Sequence, residues 1–135
     1  MAGYSKTPLV QKLGIKSGFE IALLNAPEGY DDTLGPLPDG VIVHSTLEAP
    51  LDLIQFFSKE QAVLRAEFPV LKQSLKPDGA LWISWPKKSA KVPTDLDENV
   101  LREIGLSQGL VDVKVCAVDE VWSALKFVYR TEDRP

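Results

Sequence analysis

The chain is poor in the residues that carry most metal and thiol chemistry. Its 135 residues include one cysteine, Cys116, one histidine, His44, and one methionine. A lone cysteine forms no internal disulfide, so an apolar core has to hold the fold, and a cytoplasmic location is the default expectation. No second histidine exists and no cysteine lies near His44 in sequence, so no zinc site is expected. An excess of positive charge is also missing: 15 Lys+Arg stand against 19 Asp+Glu, a formal net charge of −4. A general nucleic-acid binder needs a basic surface to displace counterions, so nucleic acid is not an expected partner. No apolar run approaches the roughly 20 residues that span a bilayer, and the first residues lack the basic-then-apolar order of a secretory signal. A membrane partner is therefore not expected either. The Gly-x-Ser-x-Gly turn of a serine hydrolase is absent.

What is present is ordinary for a folded domain, with 44% hydrophobic and 25% charged residues. The length suits one domain over residues 1–135, with a disordered tail from Thr131 to Pro135. Thr7-Pro8 opens a short helix, with Leu9 and Leu13 on one face and Gly14 as its left-handed stop. Phe19 to Leu24 is an almost continuous apolar run, the mark of a strand buried on both faces. Asn25 to Gly40 is a proline- and glycine-rich loop with one helical turn near Asp31 to Leu34. Val41 to Thr46 and Leu51 to Phe57 read as the second and third strands. Ser58 with Gln61 forms a capping box for the next helix, whose buried stripe is Leu64, Phe68, Leu71 and Leu75. Pro69 within that stripe predicts a kink or two short helices.

Pro77-Asp78-Gly79 is a tight turn, and Ala80 to Trp85 the fourth strand. A lysine-bearing loop follows from Pro86 to Pro93. Thr94 is the expected cap of a further helix with Leu96, Val100 and Ile104 buried and Gly109 at its end. Val111 to Val118 alternates as a fifth strand. Ser123 to Arg130 is the sixth, and the two form an antiparallel hairpin. The expected architecture is α/β: a three-layer, mostly parallel sheet of about six strands ending in that hairpin.

Residues Leu71 to Ser84, with Lys76-Pro77-Asp78-Gly79 at the centre, resemble the late helix, turn and strand of Rossmann-like S-adenosylmethionine methyltransferases. Leu51 to Ile54 resembles the preceding strand of that family. The helix from Thr94 and the final hairpin resemble its C-terminal end. A closer resemblance, over nearly the whole chain, is to the bacterial domain-of-unknown-function family 3052. It is carried by Leu23 to Tyr30, by Trp82 to Lys88 and by Val111 to Glu120. It implies a methyltransferase-like fold and supplies no reaction. Methyltransferases of this class place a Gly-x-Gly-x-Gly turn after the first strand and an acid for the ribose after the second. Here the turn is Asn25-Ala26-Pro27-Glu28-Gly29, the second strand ends in His44-Ser45-Thr46, and a helix and a strand are missing between Val41 and Leu51.

In open α/β sheets, ligands bind beyond the C-terminal strand ends, where strand order reverses. That rule gathers Asn25, Pro27, Glu28, Gly29 and Tyr30 with Trp85, Lys87 and Lys88. Asn25 offers a donor and an acceptor, Tyr30 and Trp85 flat rings for stacking, and the lysines point charges for phosphate or carboxylate. The plainer reading makes Pro27 and Gly29 turn formers, Trp85 a core cover and the lysines solvated. His44 is expected to be a strand-end residue bonded to backbone, and Cys116 an inert core residue. Three functions remain in view: a non-catalytic binder of a small anionic or nucleotide-like ligand, a protein-interaction module or homodimer, and methyl transfer with S-adenosylmethionine as cofactor.

Overall fold

The structure, a computed structural model, describes residues 7–48 and 50–133. Five-residue α1 (Leu9–Leu13) precedes β1 (Glu20–Leu24), five-residue α2 (Tyr30–Leu34) and β2 (Ile42–His44). Then come β3 (Leu51–Phe57), α3 (Gln61–Gln73), β4 (Leu75–Pro86), α4 (Glu98–Ser107), β5 (Leu110–Ala117) and β6 (Trp122–Tyr129). The six strands form one sheet in the order β2-β1-β3-β4-β6-β5. β2, β1, β3 and β4 run parallel, and β6 is antiparallel to both β4 and β5. The α/β, mostly parallel sheet with its terminal hairpin is thus the architecture expected of the sequence.

Two apolar layers sandwich the sheet. One packs α3 and α4 on the strands through Leu64, Phe68, Leu71, Leu101 and Ile104. The other packs α1 and α2 through Leu9, Leu13, Tyr30 and Leu34 against Leu53, Phe57, Trp82 and Trp122. Burial of this kind stabilises by about 25 cal/mol per Å² of apolar surface, so the long-helix layer dominates the core. The Trp82 indole N–H is satisfied by the Leu13 carbonyl at 2.9 Å, which ties α1 to the middle of β4.

Several local expectations change. Pro8 itself stands at the N-cap of α1, and no side chain caps that turn; Gly14 takes the left-handed conformation as expected, at φ 80°. Ser58 does not cap α3: its hydroxyl exchanges hydrogen bonds with Glu60, and the Gln61 N–H goes instead to Asp95 at 2.6 Å. α3 runs unbroken through Pro69, which lies on its exposed face. Leu75 to Pro86 is one long strand in which the Pro77-Asp78-Gly79 turn is a bulge: Leu51 pairs with Leu75, and Leu53 with Ala80. The bulge needs Gly79, since a Cβ there would lie 3.0 Å from the Leu51 and Asp52 carbonyl oxygens. Asp97, not Thr94, caps α4, accepting from the Val100 N–H at 2.8 Å. β5 shows no buried alternation, because it is an edge strand; Val113 and Val115 are about half exposed, at 52% and 48%. Within the expected tail, Thr131–Asp133 form a short 3-10 turn, and Arg134 and Pro135 lie outside the described residues. No helix among the described residues is long and apolar enough to cross a membrane.

Candidate functional site

The chain reverses its direction of travel across the sheet between β1 and β3, since β2 lies on one side of β1 and β3 on the other. This is where open α/β sheets leave a crevice. Asn25 ends β1 in the left-handed region, at φ 59°, a conformation that asparagine tolerates better than other side-chain-bearing residues. The turn then closes with the Pro27 carbonyl accepting from the Tyr30 N–H at 3.1 Å, and Gly29 at φ 80° opens α2. Asn25 and Pro27 line a cavity of about 310 Å³ with Phe57, Ser58, Lys59 and Glu60. Glu28 and Gly29 are exposed at its rim.

Trp85, Lys87 and Lys88 belong to a second, larger cleft of about 640 Å³. Its opposite wall is the segment from Thr94 to Asn99, and Ser123 of β6 completes it. Trp85 is buried within the long-helix layer, at 6% exposed, and contributes an edge to the cleft. Lys87 is anchored through its backbone N–H to the Val121 carbonyl at 2.8 Å. The cleft thus sets two lysines against Asp95, Asp97 and Glu98, with the apolar Leu96 and Val92 between. The lining combines two ammonium groups, three carboxylates and an apolar strip, the mix of a few polar groups with an apolar wall found in small-ligand sites.

The residues gathered by sequence are therefore divided between two cavities. The divider is the segment after β3. The Lys59 carbonyl accepts from the Thr94 hydroxyl at 2.6 Å and the Asp95 N–H at 3.3 Å, which clamps residues 58–60 to the loop before α4.

Tyr30 joins neither cavity. It is 3% exposed, and its ring sits edge-on to Phe57 at 4.8 Å, with Phe57 edge-on to Trp122 at 5.1 Å. Its hydroxyl donates to Gln55 Oε1 at 2.6 Å, and Gln55 Nε2 donates to the Ser84 hydroxyl at 3.0 Å. Burial drives the Tyr30 phenol far above its ordinary pKa; the Gln55 hydrogen bond opposes this, and Cys116 and Asp119 add to it. The expected stacking role for Tyr30 is corrected: its ring is a core piece. Gln55 and Ser84, both wholly buried, were not singled out by sequence. Their signal was a polar residue in each of two otherwise apolar strand runs.

His44 meets the Glu20 carboxylate at 3.1 Å, not a backbone group. Cys116 is half-buried; burial pushes its thiol upward, and Lys12 and Lys114 oppose this, so the unreactive protonated form is favoured. Among the described residues no group of three or more His, Cys, Asp and Glu is arranged to hold a metal ion.

The strand order and the lone antiparallel β6 define the class: a Rossmann-like, methyltransferase-like fold. Among solved structures the chain is similar to the DhpI–SAH complex, at 12% identity and a TM-score of 0.64, covering 92% of this chain and 83% of that one. It is also similar to a putative type 11 methyltransferase from Sulfolobus solfataricus, at 18% identity and TM-score 0.64, covering 93% and 91%. A SAM-dependent methyltransferase from Aquifex aeolicus matches at 15% identity and TM-score 0.61, covering 87% and 86%. At these identities the likeness is one of fold. No family model matches the chain, and no curated relative does.

The crevice between β1 and β3 does not fit S-adenosylmethionine as this fold ordinarily holds a nucleotide cofactor. Pro27 removes a backbone donor from the turn. The tip of β2 presents His44, already engaged by Glu20, where an acid would hold the ribose hydroxyls. The cavity lies at the low end of the roughly 300–1,000 Å³ typical of small-ligand sites.

Proposed function

We propose that this protein acts as one cytoplasmic domain that binds a small anionic or nucleotide-like molecule without transforming it. The observation that carries this reading is the large cleft at the C-terminal sheet edge, where Lys87 and Lys88 stand beside the Trp85 edge and face Asp95 and Asp97. The lysines take the anionic group, and the apolar strip of Trp85, Val92 and Leu96 takes the body of the ligand. We also propose membership of the domain-of-unknown-function family 3052, on the strength of Leu23 to Tyr30, Trp82 to Lys88 and Val111 to Glu120.

Calorimetric titration with AMP, ATP, S-adenosylmethionine and S-adenosylhomocysteine tests the reading. The expected result is saturable heat from a nucleotide and its loss in the Lys87→Gln/Lys88→Gln double variant. Silence across the panel overturns it. Native mass spectrometry of freshly purified protein reads a retained ligand and the subunit count together, so a homodimer would register in the same spectrum.

A second reading is methyl transfer, favoured by the likeness of fold to two methyltransferases and to a complex with SAH. It requires S-adenosylmethionine to be held by other contacts than the usual ones. Binding of that cofactor in the titration, lost on substitution around Asn25 rather than Lys87, would select it over the first.

A further inference from the structure

We propose that the sheet face around Lys114 and Lys126 is an anion-binding site, separate from the sheet-edge cleft, which takes a small multivalent oxyanion of the phosphate type. Lys114 of β5 and Lys126 of β6 are direct cross-strand partners. Like charges placed directly opposite in a ladder repel and destabilise it. Here both ammonium groups also converge on one ring, each 6.0 Å from the centre of Trp82. Trp82 is wholly buried and fixed by its bond to Leu13, so the floor beneath the two charges is rigid.

Two more lysines of the α1 region, Lys12 and Lys16, add positive field nearby. Lys12 reaches β5, donating to the Ala117 carbonyl at 2.8 Å. Burial lowers the Lys126 ammonium below its ordinary pKa, and the fields of Lys114 and Lys16 lower it further. Carboxylates outnumber cations in this chain, which carries a net charge of −4. Yet the ion pairs of Lys and Arg among the described residues are Arg65–Glu103, Lys76–Asp52, Arg102–Glu98 and Arg102–Asp112. None includes Lys12, Lys16, Lys114 or Lys126. An acidic protein that sets Lys114 and Lys126 over one ring, with no carboxylate partner among the described residues, retains a local conflict. Retained conflicts of this kind mark functional positions.

An oxyanion between Lys114 and Lys126 replaces their repulsion with two charge-assisted hydrogen bonds, and Lys16 adds a third cation at the rim. One negative charge leaves most of that field uncompensated, so a multivalent phosphate group suits the place better than a single carboxylate. Lysine binds such groups as a point charge and needs no planar fork.

The test is a titration of ¹⁵N-labelled protein with sodium pyrophosphate at constant ionic strength, followed by amide shifts and by melting temperature. Saturable shifts are expected at residues 114–117 and 126. Binding is expected to weaken about tenfold or more in Lys114→Gln, an exposed position where the fold is kept. It is expected to be unchanged in Lys87→Gln/Lys88→Gln, which separates this site from the cleft proposed above. Without pyrophosphate, Lys114→Gln is expected to melt higher than the native chain, because the cross-strand repulsion is gone; with saturating pyrophosphate the order reverses. Absence of shifts at these amides, an affinity undiminished in Lys114→Gln, or shifts abolished only by the Lys87/Lys88 changes would each overturn the proposal.

Discussion

The two faces of the sheet are covered unequally. One carries α3 and α4, helices of 13 and 10 residues, over the larger of the two apolar clusters. The other carries only the five-residue α1 and α2, with loops between. Short helices cannot shield a sheet by themselves. The thin face closes with an aromatic chain of Tyr30, Phe57 and Trp122, the buried trio Tyr30–Gln55–Ser84, and lysine side chains near Trp82. The long helices cover one face by apolar packing with partly exposed ion pairs around it, whereas the thin face holds side-chain hydrogen bonds inside its core.

The sharpest way to probe this is the same substitution on both faces. Leu71→Ala, in the last turn of α3 and wholly buried, should cost about 2–5 kcal/mol, toward the upper end because a 13-residue helix packed along its length cannot collapse into the gap. Leu34→Ala, at the end of α2, should fall at the low end of that range, since a five-residue helix can shift to fill it. Urea unfolding of both variants measures the difference, and equal losses would break the comparison. Next in size is Tyr30→Phe, which leaves Gln55 Oε1 without its donor and should cost about 1–3 kcal/mol. Tyr30 also gives a pH signature. Its pKa is raised in the folded state, so its contribution is complete below the ordinary tyrosine value near 10 and is lost as pH climbs beyond it. Unfolding midpoints between pH 9 and 11 should therefore fall more steeply in the native chain than in Tyr30→Phe.

The same contrast explains what was legible in the sequence. β3 has the bounds its apolar run announced, Leu51 to Phe57, because a strand buried on both faces needs nothing but continuous hydrophobicity. The helical turn at Asp31 to Leu34 and the β5–β6 hairpin were legible from turn residues alone. The caps of α3 and α4 were not, because the Ser58 and Thr94 hydroxyls have other partners, in Glu60 and in the Lys59 carbonyl. Edge position, which exposes Val113 and Val115, is set by strand order and leaves no trace in an alternating run. The candidate site was legible as a set of loops at one sheet edge. Its division was not, since it depends on hydrogen bonds to the Lys59 carbonyl from residues 35 and 36 positions away. Nor was the burial of Tyr30, whose partner Gln55 lies 25 residues further on.

The reassigned cap offers a smaller test on the long-helix face. Asp97→Ala removes the acceptor of the Val100 N–H and should cost about 1 kcal/mol, within a usual span of about 0.5–2. Thr94→Ala instead leaves the Lys59 carbonyl with only the longer bond from the Asp95 N–H and loosens the divider between the two cavities. It should therefore alter ligand titration at the Lys87–Lys88 cleft more than it alters the unfolding midpoint. A Thr94→Ala variant that loses more stability than Asp97→Ala would restore Thr94 as the cap.

The smallest effect is expected at the far edge. β2 is three residues long, and Ile42 and Val43 are 54% and 46% exposed. An edge strand with open apolar side chains invites pairing with another chain, and brevity is one of the ways proteins limit that hazard. Ile42→Thr keeps the β-branched shape, removes little buried area, and should change stability by no more than about 0.5 kcal/mol. The informative readout is association: sedimentation at high protein concentration should show the native chain and Ile42→Thr alike if three residues are too few to template a partner. A marked fall in association for Ile42→Thr would instead make the β2 edge an interface, and the thin half of the sheet would then owe part of its cover to a second copy.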